Sequence, residues 1–203
     1  MDVSILICAF GDKGWKELAY TRALPSTQGQ GANECLIVYD EQATLAKVRN
    51  EAAENATHTW LLFLDADDEL APGYVDAMHA AVTSWREDAL YYPKVEYLGG
   101  PRKRPAAFPN EGVAMTVANR CVIGTLIRRD TFWAMGGFQE YPIYEDWALF
   151  LKVHLSKRGM IPVSGATYLA HMKPGRSRNR PGARALATKT YAQIRRENGL
   201  LAA

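Results

Sequence analysis

The chain has 203 residues, of which 48% are hydrophobic, and this length suits one domain with a single sizeable core. No apolar run approaches the roughly 20 residues that a membrane helix needs, and the first residues lack the basic start and cleavage site of a secretory signal, so we expect a soluble protein of the cytoplasm. The three cysteines, Cys8, Cys35 and Cys121, are widely spaced in apolar stretches, which predicts reduced core residues rather than disulfides or a zinc site.

The first half of the sequence predicts three strand-helix repeats. Apolar runs predict strands at 3–10, 35–39 and 59–64. Each run is followed by apolar residues at helical spacing, which in the third repeat places Val75, Met78, Val82 and Trp85 on the inward face of a helix that opens at Pro72. Three such repeats in sequence imply a parallel sheet that is covered by helices on both faces.

The pattern changes after residue 90, and the second half predicts antiparallel additions to this sheet. Strands are expected at 90–98 and 121–127, with a proline-containing loop over 99–112 between them. A short helix is predicted from Arg129 to the glycine pair at 136–137, a longer one over 145–158, and an amphipathic helix over 184–198. The fold class is therefore α/β, with a mixed sheet flanked by helices in one domain.

The densest acidic cluster of the sequence follows the third strand. The stretch LFLDADDEL places four carboxylates in five residues directly after a buried apolar run, and the repulsion among them favours a divalent cation such as Mg²⁺ or Mn²⁺. Ligands of parallel sheets bind outside the carboxyl ends of the strands, where Asp40 and Asp65 both stand. We assign Asp65 and Asp67 to a binding site, and expect Asp68 and Glu69 to cap the following helix.

The final part of the chain is basic. Between Lys173 and Arg196 lie eight basic residues and no acidic one, which leaves 16 Lys and Arg against 22 Asp and Glu elsewhere. Such a segment suits nucleic acid, an anionic membrane surface, a phosphorylated ligand or an ordinary solvated face. Composition alone does not choose among these partners.

Taken together, the motifs resemble the family-2 glycosyltransferases, which have the GT-A fold (nucleotide-diphospho-sugar transferase, Rossmann-like). The resemblance is carried by VSILICAF as the opening strand, VRNEAAENATHTWLLFLDADDE as the donor-site core and GGFQEYPIYEDWALFLKV downstream, and it spans nearly the whole chain. It implies one glycosyltransferase domain over 1–203, with a nucleotide-sugar donor half at 1–98, an acceptor and catalytic half at 99–171, and a basic loop and C-terminal helix at 172–203.

The resemblance also implies roles for individual residues around the donor. Asp67 would ligate a Mn²⁺ or Mg²⁺ ion that bridges the donor diphosphate, with His171 as a further ligand. Asp65 would contact the ribose or the donor sugar, and Asp40 the nucleobase or ribose. Phe10 and Arg49 are assigned to the same donor site, where Val48-Arg49-Asn50 matches a helix segment of the family.

A carboxylate near the start of the 145–158 helix would be the catalytic base. By the resemblance this is Asp146, with Glu145 as the alternate, and the reaction would invert the anomeric carbon of a nucleotide-diphosphate sugar, with a UDP-sugar favoured and a hexosyl group transferred. The acceptor hydroxyl stays open among saccharide, lipid-linked carrier, protein and nucleic acid. In the basic segment, Lys173, Arg176 and Arg178 would be the cations of a mobile lid over the donor diphosphate. Contact of this segment with nucleic acid or a membrane surface is less favoured than the lid.

Three other functions compete with this interpretation. A catalytically degenerate sugar-nucleotide or carbohydrate-binding module would keep the fold without turnover. Aspartate-nucleophile phosphatases also place Asp-x-Asp after an apolar strand, but they require Thr where Glu69 stands. Sugar-nucleotide pyrophosphorylases begin with a glycine-rich basic loop that ICAFGDKGW lacks.

Overall fold

The computed structural model describes residues 2–85, 88–100, 105–172 and 184–201. Within them, seven strands form one mixed sheet in the order β2-β1-β3-β6-β5-β7-β4. The strands are β1 (Val3–Phe10), β2 (Glu34–Asp40), β3 (Trp60–Asp65), β4 (Glu69–Leu70), β5 (Leu90–Leu98), β6 (Leu126–Arg128) and β7 (Met160–His171). The helices are α1 (Lys13–Leu18), which continues through a π-helical turn (Ala19–Ala23) into α2 (Leu24–Thr27), then α3 (Leu45–Asn55), α4 (Tyr74–Ser84), α5 (Arg129–Ala134), α6 (Glu145–Leu155) and α7 (Arg184–Glu197).

The sheet is parallel on one side and mixed on the other, as the sequence predicts. β1 pairs in parallel with β2 and with β3, and its register places Phe10 opposite Asp40 and Cys8 opposite Asp65. β6 runs antiparallel to β3, and β4 antiparallel to β7, while β5 and β7 are parallel. The carboxyl ends of β1, β2 and β3 therefore meet at one edge of the sheet.

Apolar side chains cover both faces of the sheet, which explains the uninterrupted apolar runs of β1 and β3. One core cluster joins β1 and β3 to α3 and α6, with Leu6, Phe63 and Trp147 among its buried members. The other joins the opposite face to α4, with Trp60 and Met78 among its members. Among the described residues, no helix combines the length and apolar character needed to cross a membrane.

Two predicted elements are shorter than expected. The strand predicted over 121–127 is reduced to β6, because Cys121 N–H is bound by Asn119 Oδ1 at 3.1 Å and Thr125 N–H by Val122 O at 2.9 Å, which turns the chain before it reaches the sheet. The helix predicted over 145–158 ends at Leu155, and Lys157 adopts a left-handed φ of 62°.

Two predicted core residues are exposed. Trp85 is 65% exposed, because α4 ends at Ser84 and the backbone of Trp85 is extended. Cys35 is exposed, whereas Cys8 and Cys121 are buried. Cys35 lies on β2, an edge strand that has a neighbour on one side only.

Candidate active site

The carboxyl ends of the three parallel strands bring Phe10, Asp40 and Asp65 to one edge of the sheet. Asp40 is exposed, and its Oδ1 accepts hydrogen bonds from Gln42 N at 2.7 Å and Ala43 N at 3.1 Å, so it also stabilises the turn after β2. Asp65 is half-buried beneath α3. The strand ends thus place the three residues where ligands of parallel sheets bind.

Arg49 joins the end of β3 to the start of α6. Its side chain is 2% exposed, with Nη2 lying 2.6 Å from Asp65 Oδ1 and Nη1 2.8 Å from Glu145 Oε1. Burial alone would lower the pKa of Arg49, but the Asp65 and Glu145 carboxylates outweigh it and raise that pKa, so the guanidinium stays charged. The guanidinium also lies 5.2 Å from the centre of the Phe138 ring. Both terminal nitrogens of Arg49 therefore bind carboxylates, and the side chain fixes two acidic segments relative to each other.

The neighbouring residue on α3 holds the loop that leads into α6. The Asn50 side chain donates to Phe138 O and accepts from Phe138 N, both at 2.9 Å. Gly137 allows this close approach, since a Cβ there would lie 2.8 Å from Asn50 Oδ1 and the backbone has a φ of 62°. The Val48-Arg49-Asn50 segment thus positions α6 against β3.

The acidic turn, residues 65–69 between β3 and β4, is bound to β7. Asp68 Oδ2 accepts from the Tyr168 hydroxyl at 2.9 Å, and Asp68 Oδ1 accepts from His171 N at 2.8 Å. Glu69 Oε2 lies 2.5 Å from His171 Nε2. The prediction that Asp68 and Glu69 cap the next helix is therefore wrong: α4 begins after Gly73, whose φ is 77°, and the two carboxylates bind the end of β7 instead.

The carboxylates of the acidic turn repel one another. Burial and the Asp65 and Asp67 carboxylates raise the pKa of Asp68 to about 8, although the His171 N–H and the Tyr168 hydroxyl act in the opposite direction. Asp67 O accepts from Arg22 Nη1 at 2.9 Å, so the main chain of the turn is held on its other side as well. A cation beside the turn would relieve this mutual repulsion.

The arrangement of possible metal-ligating side chains limits what kind of metal site the chain can form. Within the described ranges, no group of three or more His, Cys, Asp or Glu side chains is arranged to hold a metal ion. Mg²⁺ and the similar Mn²⁺ need only one or two carboxylates when substrate phosphates complete the coordination. Asp67, the predicted metal ligand, lies in the acidic turn, and the Nε2 atom of His171, the second predicted ligand, lies beside Glu69 of the same turn.

Asp146 lies at the start of α6, next to the ion pair of Arg49. Asp146 is the second residue of α6, whose N-cap residue, Tyr144, has a left-handed φ of 66°. Its Oδ2 accepts from Asn119 Nδ2 at 2.9 Å and its Oδ1 from Trp147 N at 2.7 Å. Burial and the Glu145 carboxylate raise the pKa of Asp146 to about 7, against the opposing effect of Arg49. Asp146 can therefore gain or lose a proton near neutral pH.

A segment before β6 supports Asp146, although no sequence pattern predicted a role for this segment. Trp147 Nε1 donates to Met115 O at 2.9 Å, and the Tyr191 hydroxyl donates to Val117 O at 2.8 Å. The rings of Trp147 and Tyr191 stack with centres 4.8 Å apart and planes at 10°. α7 thus holds the segment that carries Asn119, and no local sequence signal marks this contact.

The three cations assigned to the lid, Lys173, Arg176 and Arg178, lie outside the described residues. The strand that precedes them, β7, ends at His171 beside the acidic turn. The chain therefore enters the basic segment from the edge of the sheet that carries the candidate site.

Residues 28–135 match the model of glycosyl transferase family 2. This match covers the donor-site core, from before β2 to the end of α5. A search of curated protein sequences found no match.

Several solved structures share the fold at low sequence identity. The structure of S. aureus TarS 1–349 is 17% identical with a TM-score of 0.68, covering 97% of this chain and 65% of that chain. TarS 1–349 in complex with UDP-GlcNAc is 18% identical with a TM-score of 0.67, covering 86% and 60%. GalNAc-T7 with UDP, GalNAc and Mn²⁺ is 13% identical with a TM-score of 0.67, covering 97% and 48%. The GT-A fold expected from the sequence is confirmed, and the chain spans less than two thirds of the length of these relatives.

Proposed function

Because the chain belongs to glycosyl transferase family 2, we propose that it transfers a sugar, with inversion, from a nucleotide-diphosphate sugar to an acceptor hydroxyl. A UDP-sugar is the favoured donor, since TarS was solved with UDP-GlcNAc and GalNAc-T7 with UDP. The observation that carries the proposal is the Arg49 ion-pair bridge, which holds the donor-side Asp65 and the α6 carboxylates at one edge of the sheet.

The proposed division of labour follows the two halves of the chain. In the donor half, residues 1–98, Phe10, Asp40 and Asp65 bind the nucleoside and the sugar at the strand ends. Arg49 contributes to the donor site indirectly by positioning Asp65, because both of its terminal nitrogens already bind carboxylates. The half formed by residues 99–171 binds the acceptor, and the segment 172–203 supplies basic residues and α7.

Asp146 is the proposed catalytic base. An acceptor hydroxyl loses its proton as it attacks the anomeric carbon, and an ionised carboxylate can take that proton. Glu145 is the less suitable of the two neighbours, since its Oε1 is occupied by Arg49 in a buried site. The pKa of about 7 matches Asp146 to proton transfer near neutral pH.

Asp67 and His171 are the residues proposed to hold a divalent cation, Mn²⁺ or Mg²⁺. When bound, such an ion neutralises the charge that develops on the departing diphosphate. The repulsion among the carboxylates of the acidic turn, which together with burial raises the pKa of Asp68, supports this assignment. Lys173, Arg176 and Arg178 are proposed to contact the same diphosphate as a lid.

A thermal-shift panel of nucleosides, nucleoside diphosphates and nucleotide sugars, each with and without Mn²⁺, tests the donor assignment. A ligand that binds the folded chain raises its Tm, so we expect one diphosphate and its sugar conjugate to do so, more strongly with Mn²⁺. Asp67→Asn should remove the Mn²⁺-dependent part, whereas Asp76→Asn, an exposed Asp on α4, should retain it. A panel without any diphosphate-specific shift would refute the proposal, and release of free sugar from the bound donor would distinguish an enzyme from a binding module.

A further inference from the structure

A buried hydroxyl on β7 connects Asp65 and Asp68 of the acidic turn. The Tyr168 hydroxyl donates to Asp68 Oδ2 at 2.9 Å and accepts from Asp65 N at 3.3 Å. One oxygen atom thus binds the first and the fourth residue of the Asp65–Asp68 stretch, with Asp67 between them.

The position of this hydroxyl is set by the sheet. Tyr168 pairs with Leu70 of β4 and with Val95 of β5, so its backbone is fixed on both sides. Its ring packs on Gly124, where an added Cβ would overlap the Tyr168 ring and lie 2.5 Å from the Tyr74 hydroxyl. The side chain is buried, which leaves the ring no room to move without repacking the core.

The hydrogen bonds of Asp68 separate its role from that of Asp67. One oxygen of Asp68 accepts from the Tyr168 hydroxyl and the other from His171 N, so both are committed to β7. On the opposite side of the turn, Arg22 donates to the carbonyl of Asp67. Asp68 is therefore an anchor of the turn, and Asp67 is held between two anchored points.

We propose that Tyr168 is a positioning residue of the donor site, whose hydroxyl fixes the acidic turn so that Asp67 meets the donor diphosphate and its cation. This inference rests on the proposed function and adds a residue to it. Tyr168 acts through Asp65 and Asp68, and we assign it no contact with the donor.

The test is the Mn²⁺-dependent gain in UDP affinity of the purified chain, measured by calorimetric titration with and without Mn²⁺. If the thermal-shift panel selects GDP, ADP, CDP or dTDP, that diphosphate replaces UDP. Tyr168→Phe keeps the ring and removes the hydroxyl, and we expect the gain to fall about tenfold, as for the loss of a buried hydrogen bond. Tyr74→Phe is the matched control: Tyr74 is equally buried, packs on the same Gly124 and donates to its carbonyl at 2.6 Å. It should lower the Tm and leave the gain unchanged.

A second variant keeps the test valid if Tyr168→Phe does not fold. Asp68→Asn probes the same hydrogen bond from its other partner, and the gain should again fall about tenfold. If the two residues act as one unit, the double variant loses no more than the larger single loss. An unchanged gain in either single variant, an equal loss in Tyr74→Phe, or additive losses would overturn the inference. A wild-type chain that binds UDP without any Mn²⁺ effect would refute the metal site itself, which is a separate result.

Discussion

Replacing Arg49 by Met should destabilise the fold far more than the loss of an ordinary ion pair. The substitution keeps much of the side-chain volume but leaves Asp65 and Glu145 without their shared cation. Removing one partner of a buried ion pair costs about 3 to 5 kcal/mol. The Asp65 side chain is 33% exposed and regains water, whereas Glu145 is 8% exposed and bears most of the cost. We therefore expect the lower end of that range, about 3 kcal/mol.

Thermal and urea unfolding measure this loss directly. For a chain of this size, about 3 kcal/mol corresponds to a fall in Tm of about 6 to 12 °C.

Lys47→Met is the matched control on the same helix. Lys47 Nζ lies 3.4 Å from Glu140 Oε1, and the two side chains are 65% and 53% exposed. An exposed pair of this kind contributes about 0 to 1 kcal/mol, so the Tm should change little. If Arg49→Met unfolds no earlier than Lys47→Met, the buried bridge does not stabilise the site as argued.

Three further predictions concern turnover and the donor. The rate of sugar transfer should rise about tenfold per pH unit below pH 7 and level off above pH 7. The reason is that Asp146, whose pKa is raised to about 7, must be ionised to accept a proton. A flat pH profile in the wild type, or an unchanged rate in Asp146→Asn, would exclude Asp146 as the base. Asn119→Ala should move this rising limb to higher pH, since the ionised form of Asp146 loses a hydrogen-bond donor, and an unmoved limb would contradict this. Neutralising Lys173, Arg176 and Arg178 together should weaken UDP binding far more than uridine binding. An equal loss of affinity for both ligands would refute the lid. Salt-sensitive binding of the wild type to random oligonucleotides would indicate a nucleic-acid contact instead.

Local sequence patterns were sufficient for the donor half of the fold. The apolar runs of β1, β2 and β3 predicted both the parallel sheet and the strand-end positions of Asp40 and Asp65. These features depend on residues that are close in sequence, where periodicity and the abrupt change from apolar to acidic residues are visible.

Contacts between distant segments could not be predicted in the same way. Asp68 and Glu69 fit a helix-capping pattern, but their partners lie on β7, 100 to 103 residues later. Asn119 reaches Asp146 from an irregular segment that has no periodicity. The register of β7 against β4 and β5 decides these contacts, and single-sequence patterns do not determine the register of strands so far apart.

The Arg49 bridge also has a consequence for the order in which the site forms. Its two carboxylates lie 16 and 96 residues from Arg49 along the chain. In an unstructured chain, closing the longer loop costs about 1.6 kcal/mol more entropy than closing the shorter one, and during synthesis Asp65 leaves the ribosome well before Glu145. We therefore expect Arg49 to meet Asp65 first, and α6 to bring Glu145 later to an arginine that is already held in place.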